Sequence, residues 1–322
     1  MTEPLRWGVL GCADIALRRV LPTAARLTEF TLTAVASRDI TRAVETASRF
    51  GGQPVAGYDR LLEREDVDAV YVPLPTGLHA EWIARALRAG KHVFAEKPLT
   101  HGAGTTRELV ALAERLGLVL RENFMFLHHA QQRRVREMVA DGAIGEPRLF
   151  SAAFAVPPRE PTDIRYDARL GGGALLDVGA YPVRAALHFL GDGLDVTGAR
   201  LRHDPEYGVD VAGSALLAAP GGASAQLAFG FEHYYTSRYE VLGSAGRITV
   251  EPAFTPLPDH APVIRWERSG GVELIRLRPD DQCANALRAF ADAVRRKDTA
   301  PDPGLVEQAR LLDRVREAAA RS

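Results

Sequence analysis

At 322 residues, with 46% hydrophobic and 25% charged side chains, the chain has the balance of a folded globular protein long enough for two domains, and not that of a disordered or fibrous one. A net charge of −1 gives no general pull toward nucleic acid or an acidic lipid surface, and no apolar run approaches the roughly 20 residues needed to cross a bilayer. The two cysteines, Cys12 and Cys283, and the scattered histidines, of which only His128 and His129 are adjacent, form no metal-binding spacing, so no metal site is expected.

Met1-Thr2-Glu3-Pro4 leads straight into an apolar run without the basic and apolar pattern of a secretion signal, and a reduced, cytoplasmic protein is expected. The first predicted strand, Leu5 to Leu10, opens onto Gly11-Cys12-Ala13-Asp14-Ile15-Ala16, with a helix beginning near Ala13. Fitted to a dinucleotide fingerprint, Gly11 supplies the tight turn, Ala13 stands where a second glycine is usual, and Ala16 takes the small third position. Amides at the helix start, across Cys12 to Ile15, would then meet a pyrophosphate.

Phe30 to Ala36 reads as the second strand, ending in Ser37-Arg38-Asp39. A carboxylate here would favour NAD, whereas a hydroxyl beside a guanidinium holds a 2′-phosphate, so Ser37 and Arg38 predict NADP(H) and Asp39 keeps NAD(H) as the alternative. A third strand, Ala69 to Pro73, runs into Pro73-Leu74-Pro75-Thr76-Gly77-Leu78-His79, where Thr76 reads as the N-cap of a helix including Ala80 to Arg88. Pro73, Leu74, Thr76 and His79 are expected on the cofactor side.

His92 to Ala95 is the next strand, and Glu96-Lys97-Pro98 follows it. The chain has only three lysines among its many arginines. Lysine can release its proton when partly buried and arginine cannot, so Lys97, at the carboxyl end of a strand, is the leading catalytic candidate. A helix over Thr105 to Leu116 and a strand over Leu118 to Leu120 complete an alternating pattern, which predicts a doubly wound parallel sheet over residues 1–122. Asn123 leaves that half within reach of cofactor or substrate.

Residues 123–322 change rhythm. After a helix near Gln131 to Ala140, period-two segments appear at Arg148 to Val156, Val209 to Ala218, Ala223 to Phe231, Tyr239 to Leu242, Arg247 to Glu251 and Val272 to Leu277, which predicts an α+β domain with an open, mainly antiparallel sheet. A helix-like stretch over 174–190 interrupts them, and a last helix, Leu305 to Ala319, is free to pack on either half. Arg165, Tyr166 and Tyr235 are candidate substrate contacts, because guanidinium groups bind diphosphate oxygens in pairs and phenols bond sugars.

The Gly11 to Ala16 loop, Pro73-Leu74-Pro75-Thr76-Gly77-Leu78-His79, Glu96-Lys97-Pro98, the run Gly171-Gly172-Gly173-Ala174-Leu175-Leu176-Asp177-Val178-Gly179-Ala180-Tyr181 and Gly243-Ser244-Ala245-Gly246-Arg247 together resemble the Gfo/Idh/MocA oxidoreductases, in the family's order over nearly the whole chain. The resemblance implies a Rossmann domain followed by a substrate-binding and oligomerisation domain, with Lys97 and the residue closing an Asp-x-x-x-His element as the catalytic pair. Here that element ends in Tyr181, as in the branch similar to glucose-fructose oxidoreductase, dimeric dihydrodiol dehydrogenase and nucleotide-sugar 3-ketoreductases.

An imidazole with a pKa of about 6.5 accepts an alcohol proton, while a phenol of about 10 starts protonated and suits carbonyl reduction. Tyr181 would donate the proton, Lys97 would stabilise the developing charge, and Asp177, four residues before Tyr181, would orient substrate or hold Lys97. The likeness is nearest to ketoreductases of deoxysugar biosynthesis, which reduce the 3-keto group of a nucleotide-linked 6-deoxyhexose. An aldose or pentose dehydrogenase, or a trans-dihydrodiol dehydrogenase, would carry the same pair. A dinucleotide-sensing regulator without chemistry is a further alternative. Homodimers or homotetramers joined through the sheet are what the family implies.

Overall fold

The computed structural model describes residues 3–321. Its chain divides into two units. The first comprises the described residues through Thr100, then Gly104–Met125 and Cys283–Leu305. It is built on a six-stranded parallel sheet of β1 (Leu5–Leu10), β2 (Phe30–Ser37), β3 (Gln53–Ala56), β4 (Ala69–Val72), β5 (His92–Ala95) and β6 (Leu120–Glu122) in the order β3-β2-β1-β4-β5-β6. Chain direction across the sheet reverses between β1 and β4, the switch point outside which ligands bind in such sheets.

The helices of this half are α1 (Leu21–Ala24), α2 (Ile40–Phe50), α3 (Tyr58–Leu62), α4 (Thr76–Arg88) and α5 (Ala103–Leu116). α2, α3 and the short β3 fall in a stretch, between Asp39 and Ala69, with no expected element. β3 is exposed along its length, so it lacks the apolar signature of the central strands. By contrast β4 is buried at all four positions, as a strand covered on both faces must be.

A second difference concerns the C-terminal region. The helix that packs within the first unit is α8 (Gln282–Arg296), for which the sequence carried no assignment. Its Phe290 completes an aromatic ladder through the sheet, in a core that also takes in Leu287: Trp7 lies 6.0 Å from Tyr71, Tyr71 5.8 Å from Phe94, and Phe94 5.2 Å from Phe290. Ring faces at these separations bury large apolar areas and fix one another's orientation. The final helix, α9 (Gly304–Ala319), belongs from Val306 onward to the second unit. The first unit also runs to Met125, a few residues past the expected boundary at 122.

The second unit contains an eight-stranded sheet ordered β14-β13-β12-β11-β7-β10-β9-β8. Its strands are β7 (Pro147–Ala155), β8 (Asp195–His203), β9 (Asp210–Ala218), β10 (Ser224–Gly230), β11 (Thr236–Gly243), β12 (Gly246–Val250), β13 (Val263–Arg268) and β14 (Gly271–Arg276). All neighbours are antiparallel except β7 and β10, so the sheet is mainly antiparallel and not a pure meander.

One face carries Phe150, Phe154, Leu227, Phe229, Tyr239 and Val241, all buried, and packs on α7 (Ala180–Leu190). The alternate residues face outward and line a shallow concavity of about 600 Å³ that includes Ser151, Arg200, Leu216, Gln226, Arg238 and Glu240. α6 (Ala130–Ala140) precedes the sheet, begins with a His129 cap on Gln131 N, and buries Gln131, Gln132, Val135 and Met138.

Candidate active site

The loop after β1 is held in a shape that only glycine tolerates at Gly11. Its φ is +109°, and a Cβ there would stand 2.9 Å from Leu74 Cδ2. Gly11 N donates to Ala36 O at 2.8 Å, which ties the loop to β2. Beyond it the chain enters helix, with Leu17 N bonded to Ala13 O at 3.1 Å, so the first amides of the turn, around Cys12 to Ile15, lie where a phosphate-binding helix start needs them.

At the end of β2, Ser37 Oγ accepts from Asp39 N at 3.2 Å, and Asp39 Oδ1 caps α2 by accepting from Thr41 N at 2.9 Å. The carboxylate that argued for NAD is therefore engaged in starting a helix. Two side chains absent from the sequence reading join Arg38 here. Arg42, one turn along α2, donates from Nη2 to Cys12 O at 2.7 Å, and the Cys12 thiol points back at Arg42 O at 3.5 Å. Burial pushes the Tyr58 phenol up, while the charges of Arg38 and Arg42 and a hydrogen bond with Arg38 pull it the other way.

Arg38, Arg42, Ser37 and Tyr58 form a cationic, hydroxyl-bearing donor set beside the phosphate loop, which fits the 2′-phosphate of NADP. Arg42 and Tyr58 carry no signal of this role in the sequence, since it follows from where α2 and α3 start.

After β4 the helix starts one residue earlier than expected: Pro75 occupies the cap position and Thr76 is the first helical residue, without a side-chain cap bond. His79 is fully buried, with Nε2 2.6 Å from Leu74 O and Nδ1 3.0 Å from Pro98 O. The ring thus ties the loop after β4 to the loop after β5 and presents both nitrogens to protein carbonyls. Both oxygens only accept, so a neutral ring donates to one of them and an imidazolium to both.

After β5 the carboxylate of Glu96 turns inward. Its Oε1 accepts from Tyr71 Oη at 2.7 Å and from Asn123 Nδ2 at 2.7 Å, and all three residues are buried. Burial pushes the Glu96 carboxyl up, opposed by these two donors, by the Lys97 charge and by the Lys97 backbone N–H. Leu99 N donates to Glu122 Oε1 at 2.6 Å. Lys97 itself is half-buried.

The lysines differ sharply in environment. Lys91 is buried and spends its ammonium on Arg64 O at 2.6 Å and Val67 O at 2.8 Å, as a structural donor. Lys297 ends α8 in a left-handed backbone conformation.

In the second unit the glycine run is shaped by the chain's own contacts. A Cβ at Gly172 would fall 2.4 Å from Arg165 O, and one at Gly173, whose φ is +114°, 2.4 Å from Asp210 Oδ1. Asp210 Oδ2 in turn accepts from Leu175 N at 2.6 Å, and burial pushes its carboxyl up against that bond. Leu175–Gly179 forms a π turn that continues into α7. That turn is wider than the α spacing assumed for Asp177 and Tyr181.

Asp177 pairs with Arg165 Nε at 2.6 Å, and Asp163 holds Arg165 Nη1 at 3.1 Å. The two carboxylates raise the guanidinium pKa further. Tyr181, half-buried, sits among Phe154 at 4.9 Å, Phe254 at 5.7 Å and Phe126 at 5.9 Å between ring centres. Tyr166 stacks on Tyr207 at 4.6 Å, and Tyr235 Oη bonds Thr255 Oγ1 at 2.6 Å. Among the described residues no group of three His, Cys, Asp or Glu side chains could hold a metal ion.

One family model, an oxidoreductase family with an NAD-binding Rossmann fold, matches residues 5–124, and a second, the GFO/IDH/MocA C-terminal domain, matches residues 132–249. The dTDP-3,4-didehydro-2,6-dideoxy-alpha-D-glucose 3-reductase of Streptomyces violaceoruber is 53% identical across 98% of this chain and 95% of its own. An NADP(+)-dependent D-xylose 1-dehydrogenase of Haloferax volcanii is 36% identical across 92% and 90%. Among solved structures, the 3-ketoreductase KijD10 of Actinomadura kijaniata, in complex with NADP and TDP-benzene, is 52% identical over 98% of both chains with a TM-score of 0.94. The Rossmann half, the mainly antiparallel second sheet and the two consecutive family matches agree: this chain belongs to the Gfo/Idh/MocA family of oxidoreductases.

Proposed function

We propose that the protein is an NADP(H)-dependent sugar ketoreductase that reduces the 3-keto group of a nucleotide-linked deoxyhexose. The observation that carries this reading is the near-full-length likeness to dTDP-sugar 3-reductases at about half identical residues. When bound, the reduced nicotinamide supplies the hydride. Tyr181 gives its hydroxyl proton to the ketone oxygen, and the Lys97 ammonium stabilises the charge that builds there. Phe126, Phe154 and Phe254 hold the phenol ring and keep water from its sides. Ser37, Arg38, Arg42 and Tyr58 hold the 2′-phosphate, and the amides after Gly11 hold the pyrophosphate.

The assignment of the pair has separate support. KijD10 has been solved with a tyrosine replaced by phenylalanine and with a lysine replaced by alanine, and those two positions stand the same number of residues apart as Lys97 and Tyr181. Asp177 acts through Arg165, with which it is paired, and the outward face of the second sheet, with its small and polar side chains, is the surface offered to a second copy.

The test is NADPH oxidation by the purified protein with dTDP-3,4-didehydro-2,6-dideoxyglucose, run beside NADP reduction with free D-xylose. Turnover of the first alone supports the reading. Turnover of xylose alone would replace it with a pentose dehydrogenase, and cofactor binding without turnover of either would make the protein a sensor.

A further inference from the structure

Phe254, one wall of the Tyr181 ring, lies in the irregular segment between β12 and β13, outside the sheet's strands. Buried side chains and one backbone bond to β11 hold it. Gln131 Nε2 donates to Pro252 O at 3.2 Å and Ala253 O at 2.9 Å, Gln132 Nε2 donates to Ala253 O at 2.8 Å, and Gln282 Nε2 donates to Phe254 O at 3.3 Å. From the other side, Ser237 receives both amides: Ala253 N bonds its carbonyl at 2.7 Å and Phe254 N its hydroxyl at 3.0 Å.

Gln131 and Gln132 are 0% exposed and Ser237 1%. The side-chain oxygens of Gln131 and Gln282 have no hydrogen-bond partner among the described residues, so these two amides are buried for their N–H groups alone. Burying an amide is unfavourable unless its bonds are made, and a fully bonded loop is rigid. This one carries Phe254, itself 1% exposed and in ring contact with Phe126, Phe154 and Tyr181.

We infer that Gln131, Gln132 and Ser237 are positioning residues that act through Phe254 to set the direction of the Tyr181 hydroxyl during proton transfer. The inference rests on the reading of Tyr181 as the proton donor. A donor hydroxyl must meet the ketone oxygen at hydrogen-bond distance, and a misplacement of about 1 Å costs up to about 100-fold in rate.

The test is a double-mutant cycle between Gln131→Met and Tyr181→Phe in the full-length protein, with kcat, KM and the solvent isotope effect on kcat measured for ketone reduction. Gln131→Met removes donors without orphaning a partner of its own oxygen. Should that variant fail to fold, Phe254→Leu, which leaves every polar bond in place, takes its position in the cycle. We expect the single replacement to lower kcat about 10-fold with KM for the sugar nucleotide unchanged, to raise the solvent isotope effect, and to cost nothing further once Tyr181 is phenylalanine. An equal loss in both backgrounds, or a loss confined to KM or to thermal stability, would overturn the inference while leaving Tyr181 as the donor. Full activity of Tyr181→Phe alone would remove that donor role and the inference with it.

Discussion

Arg38→Ala should weaken the preference for NADPH over NADH. The Arg38 side chain is exposed at the end of β2, next to Ser37 and within hydrogen-bonding reach of the Tyr58 phenol. Asp39, the carboxylate that would serve an unphosphorylated ribose, is held by Thr41 N. A charge-assisted hydrogen bond contributes about 1.5–3 kcal/mol, and solvent screening of an exposed group places this one at the low end. With about 1.4 kcal/mol per factor of ten, kcat/KM for NADPH should fall about tenfold and that for NADH should not change.

Arg42 gives the internal comparison. Its Nη2 holds Cys12 O at 2.7 Å, so Arg42→Ala loosens the pyrophosphate loop as well and should lower kcat/KM for both cofactors. Initial rates with each cofactor at two salt concentrations read both effects, the NADPH-specific part shrinking as salt rises. An equal loss for NADPH and NADH in Arg38→Ala, or none for either, would refute the assignment of this arginine to the 2′-phosphate.

Tyr71→Phe removes one of two donors to the buried Glu96 oxygen and should cost about 1.5–3 kcal/mol in urea unfolding, with kcat also reduced because Asn123 alone then holds the residue before Lys97. Gly173→Ala introduces a Cβ 2.4 Å from Asp210 Oδ1 at a φ of +114°, and should abolish turnover while equilibrium binding of NADPH persists. Asp210 has its folded-state pKa raised by burial above the usual 3.8, so the folded protein holds that proton more tightly than the unfolded chain. Its contribution to stability is therefore present in acid and declines as pH rises from about 3.8 through the folded value, and unfolding free energies of Asp210→Asn should lack that decline.

The parts of the fold that were legible in the sequence are those where burial forces composition. β1, β4 and β5 are mostly buried and read as largely apolar runs, and β7, β9 and β10 alternate because one face packs on α7 or on the Leu175–Gly179 turn before it. The strands that escaped, β3, β8 and β13, carry many exposed or half-exposed positions, so neither period stands out. α8 is harder to read for a different reason: apart from Cys283, Leu287 and Phe290, its buried face is alanine, with Ala284, Ala286, Ala291 and Ala293.

The site divides in the same way. Lys97 and Tyr181 were visible because each is an unexpected residue type for its surroundings or its element, whereas Tyr71, Arg42 and the three glutamines are ordinary residues whose roles arise from partners far away in sequence. Tyr71 reads as one more apolar residue in β4 until its hydroxyl is seen on Glu96, 25 positions on. The Asp177 spacing was legible and its partner was not, since a π turn cannot be told from an α turn by composition.

The neighbours of Lys97 suggest what such a site costs. Glu96 is tied to β4 through Tyr71 and to the residue after β6 through Asn123, Pro98 has its carbonyl against His79 of α4, and Leu99 N is bonded to Glu122. Each of three residues around the lysine is thereby fixed to a different element. Fixing a residue's backbone opposes folding by about 1–2 kcal/mol, and here that loss is met once, when the Rossmann half folds, rather than at each encounter with substrate. The opposing term is the burial of the Glu96 carboxyl, whose pKa rises although Tyr71, Asn123 and Lys97 all favour its charge. A carboxylate whose desolvation outweighs its partners is a poor device for stability alone. Its burial instead fixes the residue before Lys97 to β4 and to the residue after β6.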